Sequence, residues 1–223
     1  MPPTSREFLD NAVDPPIRGF LHVPDSANQN GLVLTHSAGS NARAALLIAL
    51  AETFAEAGFT VLRCDLPFRQ VRSWGPPGPG DAARDRAGLK NALAALRKIV
   101  SGNLYIGGHS YGGRQASMLC AEEPGLVAGL LLLSYPLHPP RKPEQQRTQH
   151  LPNLLTPTLF VQGTRDPFGS IAEIEQALKM IPGKTRLMPV EGAGHDLGFK
   201  GKARKEELPK QILSEATTFF RQS

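Results

Sequence analysis

Cysteine is scarce in this chain. Only two of its 223 residues are cysteines, Cys64 and Cys120. They lie far apart, in segments that we interpret as a buried strand and a helix. Neither belongs to a C-x-x-C pair, which is the spacing typical of a structural zinc site. We therefore expect no metal site.

Aromatic residues are also few, and charge of one sign is not concentrated. Phe, Trp and Tyr make up 6% of the residues, so few rings are available for stacking on nucleic-acid bases. The formal net charge is +5, but Lys and Arg are interspersed with Asp and Glu. The main basic run, residues 200–205, is followed directly by Glu206 and Glu207. A solvated surface accounts for this pattern, and we do not expect nucleic acid as a partner.

No apolar run is long enough to span a bilayer. The longest, residues 126–133, is far shorter than the roughly 20 residues that a membrane helix requires. The N-terminus has no basic leader followed by an apolar segment, so we expect a cytoplasmic protein without membrane insertion. No Ser/Gly-rich or charged linker divides the chain, which predicts a single domain over residues 1–223. Nothing in the sequence indicates an oligomeric state.

Strand-type and helix-type segments alternate along the chain. Residues 31–35 and 127–134 are almost wholly apolar, as expected for strands that are covered on both faces. Residues 17–23 form a weaker run, which we expect at an edge of the sheet. The alternation predicts an α/β fold with a doubly wound, mostly parallel sheet and helices on both faces.

One stretch places a serine at the junction of a strand and a helix. It reads Gly108-His-Ser110-Tyr-Gly112, with a strand-type run before it and helix-forming residues 114–122 after it. A nucleophilic serine on such a turn adopts strained backbone angles that lift its hydroxyl above the sheet. The two glycines leave room for the strand and the helix to pass closely. A Gly-Ser loop without chemical function would contain the same residues, so the interpretation depends on partners elsewhere.

Candidate partners follow two later strands. Asp166 comes soon after one strand-type run, and His195 comes directly after the next. The carboxyl ends of strands in such a sheet meet at one edge, so we expect both residues to lie near Ser110. An imidazole can remove the serine proton during attack, and a carboxylate can fix the imidazole tautomer. Two alternatives remain open: Asp166 as the cap of a helix that begins at Ile171, and Asp196 as the acid.

The order of these residues, each after a strand, resembles the α/β-hydrolase superfamily and in particular its small dienelactone-hydrolase-like members. The resemblance spans nearly the whole chain. It implies that Ser110 is the nucleophile, Asp166 in Gly-Thr-Arg-Asp-Pro the triad acid and His195 in Gly-Ala-Gly-His the general base. Two features depart from the family. Its His-Gly dipeptide appears here as His36-Ser37, and residues 135–152 are too few for the usual helical cap.

Attack on an acyl carbon creates an oxyanion, which needs hydrogen-bond donors. We expect them to be the N–H of Tyr111, directly after the nucleophile, and the N–H of Ala38, with Ser37 as the less favoured alternative. Residues 67–79 form a loop rich in Pro, Gly and Arg, which can lie over the opening of the site around Ser110. Its Arg69 and Trp74 are candidate substrate-binding residues, and Arg69 would suit a substrate that carries an anionic group.

The expected activity is that of a serine hydrolase that cleaves a small ester, thioester or lactone through an acyl-enzyme. Its partner would be a small-molecule acyl substrate, and no cofactor is required. Because a fold does not determine a function, a non-catalytic interaction protein on the same fold is an alternative. An acyltransferase or a peptidase that uses the same three side chains is another. The presence of all three residues favours an enzyme.

Overall fold

An eight-stranded, mostly parallel sheet forms the centre of the protein. The computed structural model describes residues 4–222. The strands lie in the order β1-β2-β4-β3-β5-β6-β7-β8. Strand β2 runs antiparallel to both of its neighbours, and the other pairings are parallel. In chain order the strands are β1 (Thr4–Asp10), β2 (Ile17–Val23), β3 (Gly31–Thr35), β4 (Thr60–Cys64), β5 (Leu104–His109), β6 (Gly129–Leu133), β7 (Thr158–Gly163) and β8 (Thr185–Val190).

Helices cover both faces of this sheet, which confirms the predicted fold class. None of the helices within residues 4–222 is both long and apolar enough to cross a membrane. Helices α1 and α6 pack on one face, and α3, α4 and α5 pack on the other. The helices are α1 (Ala45–Glu56), α2 (Pro67–Val71), α3 (Asp81–Arg97), α4 (Tyr111–Glu122), α5 (Ile171–Leu178) and α6 (Lys202–Arg221), with a 3-10 turn at Leu151–Asn153.

The central strands bury apolar side chains on both faces. In β3, Val33 belongs to the core layer on the side of α3, α4 and α5, whereas Leu32 and Leu34 belong to the layer on the side of α1 and α6. In β6, Leu130 and Leu131 face these two layers in the same way. All five side chains are at most 1% exposed. Because full burial of such a side chain stabilises the fold by about 1.5–3 kcal/mol, both faces must be apolar, and the strands show no polar alternation.

The edge of the sheet differs from the prediction. Residues 17–23 form β2 as expected, but β2 lies inside the sheet, between β1 and β4. The edge strand on this side of the sheet is β1. It pairs with β2 from Asp10 opposite Ile17 to Thr4 opposite Val23. Its sequence is largely polar: Phe8 packs against the core, but Leu9 is exposed. A strand that is held mainly by backbone hydrogen bonds has a weak sequence signal.

The two segments without predicted helix had different outcomes. Residues 67–71, within the expected loop, form the short helix α2. It begins at Pro67, whose missing N–H suits the first helical position, and five residues are too few to show a helical period. Between β6 and β7, by contrast, the described chain contains only the 3-10 turn and no helical cap. No helix from the segment between β6 and β7 therefore covers the carboxyl ends of β5 and β6 in the described chain.

Candidate active site

Ser110 occupies a strained turn between β5 and α4. Its backbone angles are φ 53° and ψ −116°, in a region that residues other than glycine rarely adopt. The flanking glycines are required by close approaches. A Cβ on Gly108 would lie 2.5 Å from the amide nitrogen of Gly113, and one on Gly112 would lie 2.5 Å from the carbonyl oxygen of His36. This is the geometry expected of a nucleophile elbow.

The structure brings the three predicted side chains into one hydrogen-bonded chain. The Nε2 atom of His195 lies 2.8 Å from the Oγ of Ser110. Its Nδ1 atom lies 2.8 Å and 3.0 Å from the two carboxylate oxygens of Asp166. Because an ionised carboxylate can only accept, Nδ1 carries the proton and Nε2 is left free to accept from the serine hydroxyl. The imidazole thus has the tautomer that a general base requires.

Asp196, the alternative acid, points elsewhere. Its Oδ1 accepts a hydrogen bond from the N–H of Gly198, and its Oδ2 lies 3.2 Å from the Nζ of Lys200. The carboxyl group is half exposed, whereas that of Asp166 is fully buried. Of these two carboxyl groups, only that of Asp166 therefore hydrogen-bonds to the imidazole of His195.

Asp166 is held by groups that the sequence analysis did not identify. Gln162, at the end of β7, donates from Nε2 to the Oδ2 of Asp166 at 3.0 Å. The N–H of Phe168 donates to Oδ1 at 2.9 Å, and the Phe168 ring stacks on the His195 imidazole with ring centroids 4.1 Å apart. The alternative role for Asp166 does not apply, because Ser170 caps helix α5. Gln162 could have been found as the polar residue that directly follows the apolar run 159–161 in β7.

His109, next to Ser110, contacts the backbone of His195. Its Nε2 lies 2.8 Å from the carbonyl oxygen of His195, so Nε2–H is the donor in that contact. Burial lowers the pKa of His109 to about 4, which keeps the ring neutral near pH 7. The His109 ring also lies beside the His195 ring, with ring centroids 5.4 Å apart.

The expected oxyanion donors lie in two neighbouring segments, the start of α4 and the turn after β3. Tyr111 is the first residue of α4, where backbone N–H groups have no partner within the helix. Ala38 lies in a turn after β3 that is closed by a hydrogen bond from the N–H of Ser40 to the carbonyl oxygen of Ser37. The close approach of Gly112 to His36 places the first turn of α4 against this loop. No backbone acceptor for the Ala38 N–H is found in the described part of the chain.

The side chain of Tyr111 is anchored away from the serine. Its hydroxyl donates to the Oδ2 of Asp85 at 2.7 Å, and the N–H of Phe68 donates to the Oδ1 of the same carboxyl at 3.0 Å. Asp85 is completely buried, and this burial raises its pKa. The contact fixes the residue directly after Ser110, and with it the start of α4.

The structure gives Arg69 a role different from the expected contact with substrate. Its side chain is buried, and its guanidinium donates to backbone carbonyl oxygens on both sides. Trp74 lies in the loop after α2 and is 84% exposed, and no described contact joins it to Ser110 or His195. Four of the five N–H groups of the buried Arg69 guanidinium thus donate to the backbone, which corrects the anion-binding role expected for Arg69. A substrate contact for Trp74 stays a prediction.

His22, His138 and His150 hydrogen-bond to neighbouring protein groups, and His138 does so through its Nδ1, which lies 2.8 Å from the carbonyl oxygen of Pro139. The Nε2 of His22 accepts from the Nε of Arg63 at 2.8 Å. The Nε2 of His150 lies 2.8 Å from the Oγ of Ser117. Burial lowers the pKa of both His22 and His150 to about 4. Nowhere within residues 4–222 do three or more His, Cys, Asp or Glu side chains come together in an arrangement that could hold a metal ion.

A mostly parallel sheet in this order, with a serine elbow beside a histidine and a buried carboxylate, defines the α/β hydrolase class. A family model described as an alpha/beta hydrolase domain matches residues 28–222. The match covers most of the chain, and the protein belongs to the α/β hydrolase family.

Solved structures share the fold at low sequence identity. Dienelactone hydrolase from Anabaena variabilis is 23% identical, with a TM-score of 0.75, and the match covers 100% of this chain and 99% of that one. An α/β serine hydrolase without lid from Xanthomonas campestris is 15% identical, with a TM-score of 0.67, and the match covers 94% and 91%.

A curated relative matches over a short stretch only. Polyketide synthase ThaQ of Burkholderia thailandensis is 50% identical over 48 residues, which make up 22% of this chain and 2% of that protein. The aligned part is thus a small fraction of a much larger protein.

Proposed function

We propose that the protein is a serine hydrolase that cleaves a small ester, thioester or lactone through an acyl-enzyme. The observation that carries this proposal is the continuous hydrogen-bonded chain from Ser110 through His195 to Asp166 on a strained elbow. Serine, imidazole and carboxylate in this geometry are the groups that nucleophilic acyl transfer requires. Membership of the α/β hydrolase family supports the same chemistry.

The reaction begins when the Oγ of Ser110 attacks the acyl carbon. A bond forms between Oγ and that carbon while the serine proton moves to the Nε2 of His195. The electron pair of the carbonyl bond moves to its oxygen, which the N–H groups of Tyr111 and Ala38 stabilise. Asp166 accepts from Nδ1–H and stabilises the imidazolium, with Gln162 holding the carboxylate in place.

The intermediate then collapses. The bond to the leaving group breaks, and His195 returns its proton to the departing alkoxide or thiolate. A water molecule, deprotonated by the same imidazole, attacks the acyl-enzyme and releases the acid. Ser110 recovers its proton from His195, so the cycle restores the starting enzyme without an external cofactor.

The proposed substrates are small because little of the protein is available to cover them. The insertion between β6 and β7, where a helical cap is usually carried, contains one 3-10 turn in the described chain. The Xanthomonas campestris structure that shares this fold is itself described as lacking a lid. Each methylene that stays in water forfeits about 0.8 kcal/mol of possible burial, so long acyl chains bring little gain.

A fluorophosphonate probe and a panel of acyl substrates test this proposal. We expect the wild-type protein to be labelled and to hydrolyse at least one short p-nitrophenyl ester, thioester or lactone. Ser110→Ala removes one oxygen and should abolish labelling and reduce turnover at least about 100-fold, with an unchanged melting temperature. Labelling that survives in Ser110→Ala, or a folded wild-type protein that reacts with neither probe nor substrate, would contradict the proposal.

A further inference from the structure

Arg69 is a buried arginine whose guanidinium binds backbone carbonyls of two segments, the turn after β3 and the loop after α2. It lies in α2 and is 4% exposed. On one side, Nε donates to the carbonyl oxygen of Ser40 at 2.8 Å, and Nη2 donates to that of Ala38 at 2.6 Å. On the other side, Nη2 also donates to the carbonyl oxygen of Gly75 at 2.8 Å, and Nη1 donates to that of Arg72 at 3.1 Å.

No carboxylate compensates this guanidinium. Within residues 4–222, Arg69 forms no salt bridge, and its charge is solvated by the four carbonyl dipoles and by the ring of Phe68, which lies 4.8 Å from Cζ. Burial of a charge without a partner ion is costly. A side chain needed only to fill this space could be apolar. The burial of an arginine here is therefore explained by the carbonyl groups to which its guanidinium donates.

Two of those carbonyls, of Ala38 and Ser40, belong to the turn that contains the proposed oxyanion donor. In a trans peptide the C=O and the N–H point in opposite directions, so the Ala38 N–H points away from the groups that donate to the Ser37 carbonyl oxygen. That carbonyl accepts from the N–H of Ser40, and its oxygen lies 2.8 Å from the Nδ1 of His36. The next carbonyl, that of Ala38, is held by Arg69. With both carbonyls fixed, the peptide that carries the donor N–H cannot rotate.

His36 contributes to the same turn from the other side. Its Nε2 accepts from the N–H of Leu66 at 3.0 Å, so Nδ1 carries the proton and donates to the carbonyl oxygen of Ser37. Burial is the main cause that lowers the pKa of His36, which agrees with a neutral ring. Leu66 directly precedes α2, so His36 and Arg69 both tie the turn after β3 to α2.

We propose that Arg69 is a positioning residue for catalysis: it holds the Ala38 carbonyl and thereby sets the Ala38 N–H toward the oxyanion. This inference rests on the proposed hydrolase function and deepens it. It replaces the role expected from the sequence, which was a direct contact with an anionic substrate. Since the oxyanion forms with every substrate, loss of the Arg69 contacts lowers turnover of neutral and anionic substrates alike.

The test compares Arg69→Met and Arg69→Lys with wild type on a neutral and an anionic ester. Suitable substrates are p-nitrophenyl acetate and mono-p-nitrophenyl succinate. We expect kcat for Arg69→Met to fall about 10- to 100-fold on both, with KM changed less than about threefold, because a displaced donor acts mainly in the transition state. Arg69→Lys should lie between, since an ammonium group lacks the planar fork that reaches several carbonyls at once. Arg84→Met, which removes an exposed arginine paired with Asp14, is the matched control and should match wild type.

Melting temperature and fluorophosphonate labelling separate positioning from misfolding. The labelling rate should fall in parallel with kcat, because the phosphonyl oxygen uses the same N–H donors. A folded Arg69→Met with wild-type kcat, or with a loss confined to the anionic ester, would overturn the inference. If Arg69→Met does not fold, Arg69→Lys decides: wild-type kcat in that variant, or failure of both variants to fold, overturns it. Absence of any wild-type reaction would instead refute the proposed function itself.

Discussion

Replacement of Asp166 by asparagine is the sharpest test of the hydrogen-bonded chain at the site. The carboxylate receives three donors: the Nδ1–H of His195, the Nε2–H of Gln162 and the N–H of Phe168. An asparagine amide has only one acceptor oxygen. If that oxygen faces the N–H of Phe168, the NH₂ group points at the donor of Gln162; if it faces Gln162, the NH₂ group points at Phe168. In either orientation the amide also presents a donor to the imidazole.

This mismatch drives His195 into the wrong tautomer. Its Nδ1 becomes the acceptor, the proton moves to Nε2, and Nε2 can no longer take the proton of Ser110, which lies 2.8 Å away. The expected loss in kcat is on the order of 10⁴-fold, which corresponds to about 5.4 kcal/mol in the barrier at about 1.36 kcal/mol per tenfold change. The assay is the steady-state hydrolysis of p-nitrophenyl acetate, with the melting temperature measured in parallel.

Asp196→Asn provides the matched control. Asp196 contacts Gly198 and Lys200 but not the imidazole, so its change to asparagine should alter kcat less than about threefold. The reasoning would be refuted if Asp196→Asn lost activity on the scale expected of Asp166→Asn while Asp166→Asn remained active.

Two further predictions concern acyl chain length and acid stability. Across p-nitrophenyl esters from acetate to palmitate, below micelle-forming concentrations, kcat/KM should be highest at butyrate or shorter, since the described chain has no helical cap between β6 and β7; a maximum at octanoate or beyond would contradict the open site. The pKa of His22 is about 4 in the folded protein because of burial and Arg63, and about 6.5 when unfolded, so the unfolded state binds more protons and the free energy of unfolding should fall as pH drops from about 6.5 to about 4. His22→Gln keeps an acceptor for Arg63. In urea titrations its free energy of unfolding should fall less steeply with decreasing pH than that of the wild type, by up to about 1.36 kcal/mol per pH unit. Identical slopes would count against this account.

Most strands and helices could be predicted from the sequence because their signals are local. The apolar runs that become β3 and β6 show their burial in their composition, and helix α5 carries its own capping serine, Ser170. Two elements lacked such signals. Strand β1 depends on backbone pairing with β2, and α2 is too short for a periodic pattern, so both become stable only through contacts distant in sequence.

By itself, the sequence determined where the candidate catalytic side chains would meet. Ser110, Asp166 and His195 each follow a strand, and the carboxyl ends of parallel strands lie at one edge of the sheet whichever strands are neighbours. Their convergence thus follows from the alternation of strands and helices, without knowledge of packing.

The contacts of Arg69 were decided by the tertiary structure alone. In the sequence it is a cation in a loop rich in Pro and Gly, where a solvated side chain or an anion-binding one would look the same. In the folded protein it is buried, and one of its acceptors, Ala38, lies 31 residues earlier in the chain. The partners of a side chain that binds backbone carbonyls cannot be recognised from their residue types, because every residue carries the same carbonyl group.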